Sequence, residues 1–165
     1  RGTDVDVVLD LMVHDLDLIL HFVKSSVKHV DAVGVSVLSD KVDIANARLT
    51  FTNGCVANVT ASRVTAKTMQ KIRFFETNGY HSADCAARKV QSLQKKTHPD
   101  GRIEIAEVPL NIPSHDPLEA EVRSFVQAIQ TGSPPPVTGR EGRQSLEVAL
   151  KIVDRIQEAR RASGG

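Results

Sequence analysis

Several sequence features that often reveal a protein's chemistry are missing from this chain of 165 residues. There is no Gly-x-Gly-x-x-Gly for dinucleotide binding and no Walker loop for nucleoside triphosphate binding. There is also no Gly-x-Ser-x-Gly, the usual signal for a serine nucleophile. The two cysteines, Cys55 and Cys85, have neither metal-ligating nor redox spacing, which is typical of reduced thiols in a cytoplasmic protein. Asp or His interrupts the long apolar runs, so we predict neither a secretion signal nor a membrane span.

The chain also lacks an excess of charge of either sign. Its 21 basic and 20 acidic residues leave a formal net charge of +1, and nucleic-acid or membrane-surface partners require a concentrated basic field. With 41% hydrophobic and 25% charged residues, we expect residues 1–165 to fold as one domain. Because Arg1 is not preceded by Met and Val5 already belongs to an apolar element, we expect a piece of a longer protein.

Residues 9–23 predict a helix with one polar strip. At 100° per residue, Asp10, His14, Asp17 and His21 fall within about 60° of one another, because they lie at i, i+4, i+7 and i+11. Most other positions are apolar, so we expect the helix to be buried. Burying carboxylates and imidazoles is costly unless each finds a partner. We therefore expect the strip to face a cleft, a ligand or an internal polar network.

Three interpretations of this strip remain open from spacing alone. The first is a structural network in which Asp10 or Asp17 orients His14. The second is a metal site on Asp10 and His14, although no His-Glu-x-x-His and no cysteine cluster accompanies them, and we predict no metal. The third is acid–base chemistry, since an imidazole that titrates near neutrality accepts protons and a carboxylate one turn away stabilises its cation.

The middle of the chain changes to a period of two residues, which indicates strands. Strands are predicted over residues 29–38, 42–52, 55–64, 69–76, 80–86, 89–94 and 103–108. Asn53-Gly54 separates two of them and predicts a hairpin with a type I′ turn. Together these strands predict a largely antiparallel open sheet.

The second predicted strand has two dissimilar faces. Ala45, Ala47, Leu49 and Phe51 form one face, while Ile44 is mixed with polar residues on the other. A face open to water normally alternates more sharply. We therefore expect this second face to be covered by another chain, in a homodimer or homotetramer.

The last third predicts two helices with clear start signals. Asp116-Pro117 supplies an N-cap and a proline at N1, and the apolar stripe that follows ends before Gly132. A capping box, Thr138 to Glu141, starts the second helix. We expect that helix, at about residues 140–161, to pack through Leu146, Ala149, Leu150, Val153 and Ile156. The order of elements predicts an α+β fold with helices packed on one face of the sheet.

A family resemblance follows from these motifs. Asp10-Leu-Met-Val-His14-Asp-Leu-Asp17 resembles the Asp-x-x-x-His-x-x-Asp motif of the glucose–fructose oxidoreductase and inositol dehydrogenase family of NAD(P)-dependent enzymes. Residues 117–149 resemble the closing helix pair and connector of that family. Residues 43–48 and 53–63 resemble the sheet of members that act on sugars or nucleotide-linked sugars. The resemblance covers essentially the whole chain.

The resemblance implies that two domains have separate roles. Family members have an N-terminal Rossmann domain that holds NAD or NADP, followed by a dihydrodipicolinate-reductase-like α+β domain of the kind predicted here. This chain would be the substrate-binding and oligomerising half of a cytoplasmic enzyme that oxidises a ring hydroxyl of a sugar or sugar nucleotide to a ketone. No residue of this chain is predicted to bind the cofactor, and we expect the isolated chain to be inactive.

The same resemblance assigns the site residues. His14 matches the proton acceptor and Asp10 its orienting neighbour, while Asp17 is a substrate contact or a structural residue. The family also uses a lysine of the Rossmann domain, so whether His14 or that lysine is the base stays open.

Two further points complete the expectations from sequence. Arg63, at the end of a predicted strand, is a candidate contact for an anionic substrate group such as a diphosphate, with an exposed or interface ion pair as its alternative. The alternative to an enzyme is a non-catalytic α+β dimerisation domain in which Asp10 and His14 form a structural pair.

Overall fold

The computed structural model describes residues 4–65, 69–112 and 116–163, with the predicted order of a helix, strands and two helices. A π-helical turn, Val8–Met12, leads into helix α1, Val13–Val23. Seven strands follow: β1 Val27–Val35, β2 Ile44–Phe51, β3 Val56–Ser62, β4 Lys71–Glu76, β5 Gly79–Asp84, β6 Lys89–Thr97 and β7 Ile103–Glu107. Helices α2, Pro117–Thr131, and α3, Gly139–Ser163, close the chain. Two compact units result, one from residues 1–65 and 124–165 and the other from residues 66–123.

The first unit is an antiparallel sheet in the order β1-β2-β3 with α1 and α3 on one face. Side chains of β2 alternate, because successive residues of a strand point to opposite faces. The face predicted to be apolar is buried: Ala45, Ala47, Leu49 and Phe51. It packs against Leu16 of α1 and Ile152 of α3, and this layer is the core of the unit.

Helix α1 is less buried than the sequence predicts. Of its side chains and those of the π-helical turn, only Val8, Met12 and Leu16 are fully buried, and Phe22 is 55% exposed. The expectation of a helix buried on nearly all sides is therefore wrong. The helix lies at the surface of the unit, where its other apolar side chains pack only partly against the core.

The hairpin between β2 and β3 is confirmed, but its turn type differs from the prediction. Gly54 has a positive φ of 86°, whereas Asn53 does not, so the type I′ turn is wrong. The loop has three residues, and the N–H of Phe51 donates to the carbonyl of Cys55 at 2.9 Å. The Asn53 side chain accepts a hydrogen bond from the N–H of Cys55 at 3.1 Å, which stabilises this wider turn.

The second unit is an antiparallel sheet in the order β4-β5-β6-β7. Its strands lie where the sequence predicts them, and the α+β class with antiparallel pairing is confirmed. The expectation of one sheet is not met, because the strands are divided between two sheets. In the described part of the chain, β3 pairs only with β2 and β4 only with β5. Periodicity identifies strands, but it carries no information on which strands share a ladder.

The start signals of the last two helices are confirmed. The Asp116 carboxylate accepts hydrogen bonds from the N–H groups of Leu118 and Glu119 at 3.0 and 3.1 Å. Thr138 and Glu141 form the reciprocal capping box, in which the N–H of Thr138 donates to the Glu141 carboxylate at 2.7 Å. Gly132 adopts a positive φ of 67° after α2.

The predicted packing face of α3 is only partly right. Ala149 and Ile156 are buried and Val153 packs against the core, but Leu146 and Leu150 are exposed. The buried face is instead formed by Ser145, Val148, Ala149, Ile152 and Ile156. The helix is thus rotated about its axis from the predicted orientation.

Candidate functional site

The predicted polar strip begins on an irregular part of the helix. Asp10 lies in the π-helical turn, and His14, Asp17 and His21 lie in α1. His14 and His21 are exposed, while Asp10 and Asp17 are half-buried. The strip therefore reaches the surface of the first unit. Single π-helical turns occur frequently at functional sites, which makes this junction a candidate position for chemistry.

His14 makes no contact with either neighbouring carboxylate. Within the ranges that the structure describes, no hydrogen bond or ion pair joins its imidazole to Asp10 or to Asp17. Each carboxylate has another partner. The exposed imidazole therefore has both ring nitrogens available to a group that approaches from outside this unit.

The partner of Asp10 is Arg63, which follows β3. Its Nη2 lies 3.8 Å from Oδ2 of Asp10 and donates a hydrogen bond to the carbonyl of Val5. On the other side, its Nε lies 3.7 Å from Oδ1 of Asp43. The Arg63 side chain is only 2% exposed, so its ion pairs with Asp10 and Asp43 differ from the exposed ion pair that was its predicted alternative. Direct substrate contact by Arg63 stays a prediction that this burial does not favour.

Asp43 is a buried carboxylate that the sequence analysis did not single out as a site residue. Its Oδ2 accepts hydrogen bonds from the N–H groups of Val37, Leu38 and Ser39 at 2.8, 2.7 and 3.2 Å. These donors, that of Val37 foremost, hold the pKa of the Asp43 carboxyl below its ordinary value. Its sequence signal is weak: a carboxylate placed between two apolar residues at the start of a strand needs nearby donors.

The partner of Asp17 is Ser145 of α3. The buried Ser145 hydroxyl donates to Oδ1 of Asp17 at 2.9 Å. Between α1 and α3 lies a cavity of about 370 Å³, lined by Asp17, Leu20, His21, Lys24, Val137, Glu141, Gln144 and Ser145. Hydrogen bonds from Thr138 hold the pKa of Glu141 below its ordinary value, and nearby His21 adds to this effect. Asp17 and His21 of the strip thus line a cavity within the same unit.

The described residues do not contain a Rossmann-type site for a dinucleotide. All strand pairs described in residues 4–65, 69–112 and 116–163 are antiparallel, whereas a Rossmann site requires parallel βαβ units and a glycine-rich turn. Across the same ranges, no three His, Cys, Asp or Glu side chains assemble into a metal-binding group. None of the described helices is long and apolar enough to cross a membrane.

Comparisons with known proteins agree with the resemblance. Residues 3–81 match the model of the GFO/IDH/MocA C-terminal domain, and this segment contains Asp10, His14, Asp17 and Arg63. UDP-N-acetylglucosamine 3-dehydrogenase from Acidithiobacillus ferrooxidans is 36% identical over 154 residues, which cover 92% of this chain and 49% of that protein. The uncharacterized oxidoreductase YrbE from Bacillus subtilis is 26% identical over 156 residues, which cover 86% and 43%.

Solved structures share the fold. The A. ferrooxidans dehydrogenase, at 34% identity, superposes with a TM-score of 0.84 over 96% of this chain and 50% of its own. Levoglucosan dehydrogenase in complex with NADH and L-sorbose, at 19% identity, has a TM-score of 0.78 over 92% and 48%. The chain spans about half the length of these relatives.

Proposed function

Because the chain belongs to the GFO/IDH/MocA family and contains its C-terminal domain, we propose that it is the substrate-binding half of an NAD(P)-dependent oxidoreductase. The reaction is the oxidation of a ring hydroxyl to a ketone. The observation that carries this proposal is His14, an exposed imidazole with a half-buried carboxylate on each side, inside the family-matched segment. An imidazole placed in this way suits the removal of a hydroxyl proton.

Three residues of the strip have distinct roles in this proposal. His14 accepts the proton of the reacting hydroxyl at a ring nitrogen. Asp10 stabilises the resulting imidazolium and orients the hydroxyl, and Asp17, which lines the cavity, contacts the substrate. The nicotinamide supplies hydride acceptance when bound, and we place its binding site on another domain of the full-length protein. A lysine of that domain is the competing candidate for the base.

The proposed substrate is a sugar nucleotide. Support comes from the relative at 36% identity, whose name specifies a dehydrogenase acting on UDP-N-acetylglucosamine. The cofactor is NAD or NADP, and the solved levoglucosan dehydrogenase was captured with NADH.

We extend the proposal to assembly and location. The outer face of the first sheet carries Val33 and Val35 at 59% and 56% exposure, which suits an interface with a second copy. A homodimer or homotetramer through this face is therefore proposed. Cys55 and Cys85 are free and exposed, as is usual in the reducing cytoplasm, where we place the enzyme.

The test is turnover of the full-length protein with a His14→Ala substitution. Removing a general base lowers kcat by about 10²- to 10⁴-fold, so we expect a loss of that size with unchanged cofactor affinity and circular dichroism. His98→Ala is the matched control, because His98 pairs with Glu104 in the other unit. A His14→Ala enzyme that retains wild-type turnover would overturn the assignment of His14.

The non-enzymatic alternative makes a different prediction. A structural Asp10–His14 pair requires contact between the two side chains, and the described contacts of Asp10 involve Arg63 instead. Under that alternative, His14→Asn would lower the free energy of unfolding, and NAD(P) would not bind to the full-length protein. Isothermal titration with NADH and NADPH separates the two cases.

A further inference from the structure

The guanidinium of Arg63 is buried and pairs with Asp10 of the polar strip. Arg63 lies between Asp10, whose side chain is 38% exposed, and Asp43, whose side chain is fully buried. Charged groups are rarely buried unless they are paired, since removing them from water is expensive. An ion pair that extends from the core to a half-exposed carboxylate of the candidate site is therefore an unusual arrangement.

Asp43 holds Arg63 from the interior. Three backbone N–H groups from residues 37–39 fix the Asp43 carboxylate. The N–H of Arg63 itself donates to the carbonyl of Asp43 at 3.0 Å, so backbone and side chain of the two residues are both joined. The two side chains form an ion pair at 3.7 Å between Nε of Arg63 and Oδ1 of Asp43, without a hydrogen bond from Nε to any described residue.

The segment that precedes the strip, residues 5–7, is hydrogen-bonded to Val42 and Arg63. The N–H of Val42 donates to the Asp6 carboxylate at 2.8 Å, and the N–H of Val7 donates to the carbonyl of Val42 at 2.9 Å. Arg63 adds its hydrogen bond to the carbonyl of Val5. These contacts join the chain just before the π-helical turn that carries Asp10 to Val42, which precedes β2, and to Arg63, which follows β3.

We propose that Arg63, supported by Asp43, is a positioning residue that holds the Asp10 carboxylate beside His14. This inference rests on the proposed function. Arg63 approaches Oδ2 of Asp10, and within the described ranges no hydrogen bond or ion pair occupies Oδ1. Oδ1 is therefore available to the reacting hydroxyl or to the imidazolium that forms on His14. A supporting residue that contacts one oxygen of a carboxylate can orient the other oxygen toward the reacting groups.

This role differs from the substrate contact that the sequence predicts for Arg63. The Arg63 side chain is 2% exposed, so little of it is accessible to a substrate anion. A positioning role changes kcat, because misplacing a reacting group by about 1 Å lowers the rate on the order of 10²-fold. Loss of a substrate contact would instead raise KM.

The test uses full-length protein with Arg63→Ala, assayed with the nucleotide-linked sugar and NAD(P). We expect kcat to fall on the order of 10- to 100-fold, with KM changed by less than about 3-fold. Millimolar guanidinium ion should restore part of this kcat in Arg63→Ala but not in His14→Ala. Arg143→Ala is the control, because Arg143 is 79% exposed in a helix-surface pair with Glu147. An increase in KM with unchanged kcat would overturn the proposal, as would the absence of guanidinium rescue.

Two further measurements keep the proposal testable if Arg63→Ala does not fold or the wild-type enzyme shows no turnover. Arg63→Lys keeps the charge but not the planar fork, so it should fold and lose kcat less than Arg63→Ala. A crystal structure of Arg63→Lys should show the Asp10 carboxylate displaced while α1 keeps its position. An unmoved Asp10 carboxylate would refute positioning whatever the activity. Absent turnover in the wild-type enzyme, by contrast, refutes only the proposed function.

Discussion

Gly34 in β1 offers a sharp test of the packing between the sheet and α3. A Cβ added there would lie 2.7 Å from Cγ1 of Val42 and 2.9 Å from Cγ2 of Ile156. Ordinary carbon–carbon contacts are about 3.5–4.0 Å, so both buried side chains would have to move. Gly34 has no positive φ, and the substitution Gly34→Ala therefore strains no backbone angle.

The expected loss follows from two opposing effects. Overpacking a dense core destabilises by about 1–3 kcal/mol, whereas replacing a strand glycine by alanine stabilises by about 0.5–1 kcal/mol. We expect Gly34→Ala to lower the free energy of unfolding by about 1 kcal/mol, which corresponds to a fall in Tm of roughly 2–4 °C. Urea unfolding of the chain, followed by circular dichroism, measures this difference at constant m value.

Measuring Gly34→Ala in a Val42→Ala background shows whether the steric clash causes the loss of stability. Val42→Ala removes the nearest atom, so Gly34→Ala should be less destabilising in that background than in the wild type. Gly139→Ala is the control, because a Cβ at Gly139 meets nothing within 4 Å, and it should be neutral or slightly stabilising. A Gly34→Ala chain as stable as the wild type would refute the reasoning. So would an equal loss in both backgrounds.

Three further substitutions test other parts of the first unit, each by urea unfolding. Leu16→Ala should lower the free energy of unfolding by about 2–5 kcal/mol, because Leu16 is fully buried, and a loss below about 1 kcal/mol would contradict its place in the core. Thr138→Ala should lower the free energy of unfolding by about 1 kcal/mol through loss of the α3 cap, whereas Thr138→Ser should keep most of that stability. A Thr138→Ala chain as stable as the wild type would contradict the capping box. The N–H of Val37 and its neighbours lower the pKa of Asp43 in the folded state. The ionised carboxylate therefore stabilises the folded state fully above its unfolded pKa of about 3.9, and this stabilisation decreases as the pH falls below that value. The stability difference between wild type and Asp43→Asn should therefore shrink below about pH 4, and a difference constant from pH 7 to 3 would contradict the lowered pKa.

Features of the fold that depend on neighbouring residues could be predicted from the sequence. The caps at Asp116 and Thr138 involve donors within three residues, and the turn at Gly54 needs only one residue with a positive φ. The division of the strands into two sheets depends on pairing between distant segments, which no local pattern encodes.

The orientation of α3 shows the same limit. Its sequence contains two overlapping apolar stripes, one through Leu146 and Leu150 and the other through Val148 and Ile152, and both contain Ala149. Helical periodicity supports either stripe. Contact with β1 and α1 selects the second, and only the tertiary structure reveals that choice.

The strip itself could be predicted, because helical spacing places Asp10, His14 and Asp17 near one another. Their partners could not. Ser145 lies 128 residues from Asp17 in sequence, and Arg63, which follows β3, is far from Asp10 in sequence. The prediction that a carboxylate of the strip orients His14 assumed that neighbours on a helix bond to each other. In the structure, Asp17 accepts a hydrogen bond from Ser145 and Asp10 forms an ion pair with Arg63.

This arrangement separates the stability of the site from its proposed reactivity. Asp10 forms an ion pair with Arg63 and Asp17 accepts a hydrogen bond from Ser145 of α3, whereas the His14 side chain has no described bond that its removal would break. Substitution of His14 should therefore leave the free energy of unfolding nearly unchanged, since an exposed side chain without partners contributes little to stability. Substitution of Asp43 removes the support of Arg63 and should lower stability and turnover together. If His14 variants lost stability as well, the imidazole would have a structural partner and the proposed base would have to be sought elsewhere in the full-length protein.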